Sequence, residues 1–123
     1  MLVLKSVNFE QQQFEHHRLE QTFYGQTEWV IGRSSSCDLV LPGLEVSRVH
    51  ARIVYVNGDY FFVDAGSTSG SLVNGKHVIE DDRQRLCTGD LLQIGETFLY
   101  VEEVAAATTI AATSPNALLM PSK

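Results

Sequence analysis

The chain has 123 residues, 44% of them hydrophobic and 20% charged, and a formal net charge of −6. That length suits one domain with an ordinary core, and the composition is globular rather than disordered. The acidic balance argues against a general nucleic-acid binder, which needs a basic surface to displace counterions from the phosphate backbone, although Arg33, Arg48 and Arg52 could form a local basic cluster.

Taken in chain order, period-two apolar alternation and turn signals dominate. Strands are expected at "LVLKSV" (2–7), "RLEQTFY" (18–24), "EWVI" (28–31) and "DLVL" (38–41). "ARIVYV" (51–56) and "YFFVD" (60–64) flank Asn57-Gly58, a hairpin signal, because Asn and Gly tolerate the positive φ of tight turns. "SLV" (71–73) and "KHVI" (76–79) repeat the device around Asn74-Gly75, and "DLLQI" (90–94) and "TFLYVEE" (97–103) follow. No segment before residue 103 has convincing helical periodicity, and many short strands at close spacing predict an all-β sandwich or barrel. From about Ala105 the composition turns to small residues, threonines and prolines, as in a tail or linker, where the threonines weaken any short helix over 104–112.

The opening residues offer too brief an apolar stretch for a signal-peptide core, and no run approaches the roughly 20 apolar residues that cross a bilayer. A cytoplasmic protein with no membrane partner is therefore the expectation. Cys37 and Cys87 are expected to be reduced, packed thiols, since two cysteines do not make a disulfide framework. His16, His17, Cys37, His77 and Cys87 lack metal-ligand spacing, so no metal site is expected, and "EDD" at 80–82 reads as a solvated loop.

"GSLVNGK" at 70–76 has the skeleton of a nucleotide-binding P-loop. A working one needs a following helix and a Ser or Thr after the lysine to hold magnesium. Here His77 follows Lys76, and Asn74-Gly75 reads as a hairpin turn. The match is accidental, and neither a nucleotide cofactor nor NTPase activity is expected.

A wider set of residues carries a different message. Gly32-Arg33, Ser47-Arg48 with His50, Ser67-Thr68-Ser69-Gly70 and Asn74-Gly75, followed by "LCTGDLLQIG", resemble in order and spacing the motifs of the forkhead-associated (FHA) domain family. The resemblance covers roughly residues 28–101. It implies a sandwich of two twisted, mainly antiparallel sheets with about eleven strands, filling residues 1–104, with "LVLKSV" and "RLEQTFY" as the first two strands and 105–123 as a C-terminal tail. It also implies loops at one end that bind phosphothreonine peptides, without a cofactor.

The chemistry is consistent. A phosphothreonine carries about −1.5 to −2 charges and three strong acceptor oxygens, so its binder needs fixed cations and donors on loops held by a rigid sheet. By resemblance Arg33 grips the phosphate, its planar fork suiting an oxyanion better than an ammonium does. Ser47 donates its hydroxyl, Arg48 adds a second cation, and Thr68 completes the pocket. Ser69 departs from the family, which usually has Asn there holding the peptide main chain; a hydroxyl replaces an amide that both donates and accepts. Gly32, His50, Gly70 and Asn74 are expected to support the site. His50 and Ser47 have no third orienting group, so a catalytic pair is not expected.

The functional expectation is a non-catalytic module that recognises threonine-phosphorylated protein partners in signalling. The alternative is a protein-interaction scaffold that acts independently of phosphate. Thr108, Thr109 and Thr113, the last in "TSP", could also be phosphorylated and dock into the chain's own pocket or a neighbour's.

Overall fold

The computed structural model describes residues 1–9 and 11–105. Eleven strands follow one another: β1 (Leu2–Asn8), β2 (Gln13–Leu19), β3 (Glu28–Gly32), β4 (Leu39–Val40), β5 (Ala51–Val56), β6 (Asp59–Asp64), β7 (Ser71–Val73), β8 (Lys76–His77), β9 (Gln84–Arg85), β10 (Leu91–Ile94) and β11 (Thr97–Val104). They form a six-stranded sheet, β2-β1-β11-β10-β7-β8, and a five-stranded sheet, β4-β3-β5-β6-β9. Every pairing is antiparallel except β3 with β4. The all-β sandwich with eleven strands in two sheets is thus the one expected.

The inner faces follow the pleat. Leu2 and Leu4 of β1, Leu92 and Ile94 of β10 and Leu99 and Val101 of β11 share one core with Trp29, Ile31, Ile53 and Phe62 from the other sheet. Ile53 lies opposite both Trp29 and Phe62 in register. Each such side chain contributes about 1.5–3 kcal/mol by leaving water, and together they hold the loops at the sandwich end against a rigid base. Trp29 also spends its indole N–H on the Glu20 carbonyl at 3.0 Å, so this large ring is buried without an orphaned donor.

Both expected Asn-Gly hairpins form. Asn57 and Gly58 have φ of 50° and 89°, joining Val56 to its partner Asp59. Asn74 and Gly75 have φ of 52° and 82°, joining Val73 to Lys76. The tight turn at 74–75 therefore stands where a P-loop would need to enter a helix.

Three expectations are corrected. The second strand occupies 13–19 rather than 18–24, and Phe23 and Tyr24 are exposed in the loop that follows. β2 is an edge strand with little buried surface, so it lacks the alternation that would have marked it. The strand expected over 76–79 stops at His77, and Ile79 is exposed. Cys37 is buried, but Cys87 is an exposed turn residue whose N–H donates to Asp90 Oδ2 at 2.8 Å. Both thiols are free. No helix among the described residues is long and apolar enough to cross a membrane. Apart from Ala105, the expected tail, including Thr108, Thr109 and Thr113, lies outside the described residues.

Candidate functional site

The loops after β3, between β4 and β5 and between β6 and β7 meet at one end of the sandwich, and Ser47 is their meeting point. Arg33 donates its N–H to the Ser47 carbonyl at 3.0 Å. Thr68 donates its N–H to Ser47 Oγ at 3.0 Å. The hydroxyl oxygen of Ser47 is thus an acceptor within the protein, and its proton remains to be given elsewhere.

His50 sets the Ser47 loop. It is fully buried. Its Nδ1 accepts the Ser47 N–H at 3.0 Å, and its Nε2 lies 3.0 Å from the Gly70 carbonyl. A carbonyl can only accept and a backbone N–H can only donate, so the ring carries its proton on Nε2. Its own N–H reaches the Ile31 carbonyl at 2.8 Å, and its carbonyl receives the Ala65 N–H at 3.0 Å. One imidazole therefore ties the loop bearing Ser47 to the loop bearing Thr68.

Arg33 leaves β3 directly after Gly32. Its Nε donates to the Val46 carbonyl at 2.9 Å. This contact fixes the plane of the guanidinium, and the two terminal nitrogens have no protein partner among the described residues. Gly32 is required by crowding: a methyl group there would lie 2.1 Å from the Arg48 carbonyl oxygen and 3.0 Å from Cys37 Sγ. That same Arg48 carbonyl accepts the Ser34 N–H at 3.1 Å and the Cys37 thiol at 3.2 Å. Burial pushes the Cys37 thiol up, against the lowering effect of its Ser34 backbone contact, which keeps it protonated as a donor. The Arg48 backbone is locked in this way, while its side chain is exposed and without a partner among the described residues.

Five of the arginines fall into two groups, while Lys5, Lys76 and Arg83 also have no acidic partner among the described residues. Arg18, Arg52 and Arg85 are paired with Glu20, Glu28 and Asp59 respectively. Arg33 and Arg48 have no acidic partner among the described residues. Arg52, considered with them from sequence alone, lies opposite Val30 and Val63 on the five-stranded sheet and is engaged by Glu28.

The third loop is built on Asp64, a residue that sequence reasoning passed over. Its Oδ1 accepts the N–H groups of Gly66 and Ser67, each at 2.9 Å. Its Oδ2 accepts the hydroxyls of Ser67 at 2.7 Å and Ser71 at 2.6 Å. Burial pushes its carboxyl up, but the donors from Ser71, Ser67 and Gly66 outweigh this and hold it below its ordinary value. Ser67 Oγ in turn receives the Gly70 N–H at 2.9 Å. The available signal was an Asp followed closely by Gly and Ser, the pattern of a side chain that caps its own turn.

Ser69 does not stand free. Its hydroxyl donates to the Glu45 carbonyl at 2.8 Å, strapping the β6–β7 loop to the β4–β5 loop. Gly70 adopts φ of 83°, a left-handed conformation suited to glycine. Asn74 lies apart from this cluster, at the other end of β7. Its Nδ2 donates to Asp90 Oδ1 at 3.1 Å and its Oδ1 accepts the Leu91 N–H at 2.9 Å, bracing the turn before β10. Among the described residues no group of three or more His, Cys, Asp or Glu side chains is placed to hold a metal ion.

With this geometry in place, comparison with known proteins identifies the fold family. The FHA domain family matches residues 29–95. The human angiogenic factor with G patch and FHA domains 1 is 38% identical over 77 residues, which cover 56% of this chain and 11% of that protein. Glycogen accumulation regulator GarA of Mycolicibacterium smegmatis is 38% identical over 65 residues, covering 53% of this chain and 39% of GarA. The chain thus spans only about a tenth to two-fifths of the length of these relatives. Among solved structures, Mycobacterium tuberculosis EmbR in complex with a low-affinity phosphopeptide aligns with a TM-score of 0.63 at 24% identity, over 86% of this chain and 25% of EmbR. That level of identity speaks for the fold. With a family match over more than half its length, on an eleven-stranded sandwich, this chain belongs to the FHA domain family.

Proposed function

We propose that residues 1–104 form a non-catalytic module that binds a phosphothreonine segment of a partner protein, with Arg33, Ser47, Arg48 and Thr68 around the phosphate. The observation that carries this reading is the state of Ser47. Its oxygen accepts the Thr68 N–H, and its hydroxyl proton has no acceptor among the described residues, which leaves it available to an outside one. Beside it stands a guanidinium held at Nε with its terminal nitrogens unpaired among the described residues. Hydroxyl donor and planar cation together suit a doubly charged oxyanion.

Support for a partner of this class also comes from relatives: EmbR is described in complex with a phosphopeptide, and phosphothreonine-dependent FHA domain interactions are the subject of another structural neighbour. GarA is named as a regulator rather than an enzyme. The decisive experiment compares a phosphothreonine peptide library with its unphosphorylated twin, on the wild-type chain and on Arg33→Ala.

One observation favours a second reading, in which the fold is an interaction scaffold and phosphate is not used. Ser69 spends its hydroxyl on Glu45 and offers a ligand main chain nothing comparable to an amide. Under that reading partner capture is unchanged in Arg33→Ala.

A further inference from the structure

Among the described residues the two sheets end in four edge strands. Three are short: β4, β8 and β9 have two residues each. The fourth, β2, has seven, and all of them but His17 and Leu19 are exposed. A strand paired on one side only turns every second N–H and C=O outward. Among the described residues no backbone group of β2 is bonded to anything beyond β1.

Proteins commonly block such an edge by shortening it, bulging it or placing proline or lysine on it. None of these devices is present in β2. Its register with β1 is unbroken over all seven pairs, and its sequence, QFEHHRL, contains no proline, glycine or lysine.

The strand is complementary to itself. Two antiparallel copies meet about a two-fold axis centred on one residue. Centred on His16, the whole strand pairs: Phe14 faces Arg18 of the second copy, Glu15 faces His17, and Gln13 faces Leu19. A guanidinium against an aromatic ring and a carboxylate against an imidazole are favourable cross-strand pairs. His16 meets its own copy on the axis, each imidazole with Glu102 of its own chain at 3.2 Å. Centred one residue earlier, Glu15 faces its own copy and the like charges repel. Centred one residue later, Arg18 faces His16 and leaves Phe14 without a cation. Either shift also shortens the overlap, so charge and length select the same register.

We propose that β2 is a self-association edge. A second copy of this chain adds its own β2 antiparallel, and the two six-stranded sheets become one across an axis at His16. An interface of one strand edge is smaller than that of a stable dimer, so the association is weak and concentration-dependent. Arg33, Ser47, Arg48 and Thr68 all lie outside β2, so the pairing is independent of what the candidate site binds.

The test is sedimentation of the full chain up to a concentration of about 1 mM, with hydrogen exchange of the β2 amides measured alongside. The mass should rise from monomer towards dimer, and alternate amides of β2 should become protected as it does. Phe14→Lys sets an ammonium against Arg18 of the second copy, twice per dimer, and should weaken association at least about fivefold. Adding Arg18→Glu to that variant sets a carboxylate against the ammonium and should restore association. Both side chains are exposed, so neither change disturbs the core. The two positions lie roughly 13 Å apart along the strand at about 3.3 Å per residue, so the rescue reports a contact between chains. A chain that stays monomeric, a dimer that withstands Phe14→Lys, or one that Arg18→Glu fails to restore overturns the proposal. So does a monomer with every β2 amide protected, which would place residues 106–123 of the same chain on the edge.

Discussion

The Thr68 N–H and Ser47 Oγ lie 3.0 Å apart although 21 positions separate them in the chain. This bond joins two loops and leaves the serine hydroxyl proton free to be donated to a ligand. Ser47→Ala should therefore act on binding and on stability separately. Loss of a donor to a charged acceptor should cost about 1.5–3 kcal/mol of phosphopeptide affinity, while loss of the Thr68 contact costs about 0.5–1.5 kcal/mol of stability. Peptide titration and denaturant unfolding on the same variant separate the two effects.

His50→Ala should be the more damaging change to the fold. It orphans the Ser47 N–H and the Gly70 carbonyl together and empties a fully buried site. Each unsatisfied buried group costs about 1–3 kcal/mol, so unfolding should show a loss of about 2 kcal/mol or more. Peptide affinity should fall as well, although His50 contacts no ligand in the proposed arrangement.

Gly32→Ala tests crowding rather than chemistry. A methyl group 2.1 Å from the Arg48 carbonyl oxygen forces the two backbones apart. Overpacking of this kind costs about 1–3 kcal/mol. Because the displaced strand leads directly into Arg33 and the displaced loop bears Ser47 and Arg48, phosphopeptide binding should weaken more than the stability loss alone would suggest.

Acid should release the β6–β7 loop. Asp64 has its folded-state value below the ordinary 3.8, because its four donors outweigh burial. The unfolded chain therefore binds the proton more readily than the folded one. The stabilisation from Asp64 is present above about pH 4 and is lost as pH falls through its depressed folded value. Asp64→Asn should flatten this part of the stability curve in acid and lower stability at neutral pH, as followed by thermal unfolding across pH.

Much of this architecture was legible in the sequence for identifiable reasons. Strands with one face in the core alternate visibly: β1 buries Leu2, Leu4, Ser6 and Asn8 in turn, and both Asn-Gly turns adopt the positive φ their residues permit. β2 escaped because an exposed edge strand has no apolar face to announce it, while Phe23 and Tyr24 imitate a strand from an exposed loop. At the candidate site the motif residues could be identified, but not their hydrogen-bond partners. That Ser69 binds Glu45 and that Arg33 Nε binds Val46 depends on loops meeting in space. Arg52 shows the same limit in reverse, being close to Arg48 in the chain but engaged by Glu28. Cys87 looked like a packed thiol because cysteine is usually buried, whereas its place is set by the turn bond to Asp90.

Ser69→Ala offers a check on the loop strap. Removing the bond to Glu45 should cost about 0.5–1.5 kcal/mol, and it should loosen the β6–β7 loop against the β4–β5 loop, which protection of the Thr68 amide from hydrogen exchange would register.

The most direct measurement is the binding of one phosphothreonine peptide and its unphosphorylated twin to the wild-type chain and to Arg33→Ala, with circular dichroism establishing that the variant is folded. The expected result is binding of the phosphorylated peptide alone, weakened at least about tenfold in Arg33→Ala through loss of charge-assisted bonds. Equal binding of both peptides by the wild type, or a folded Arg33→Ala that holds the phosphopeptide as tightly, would contradict the account.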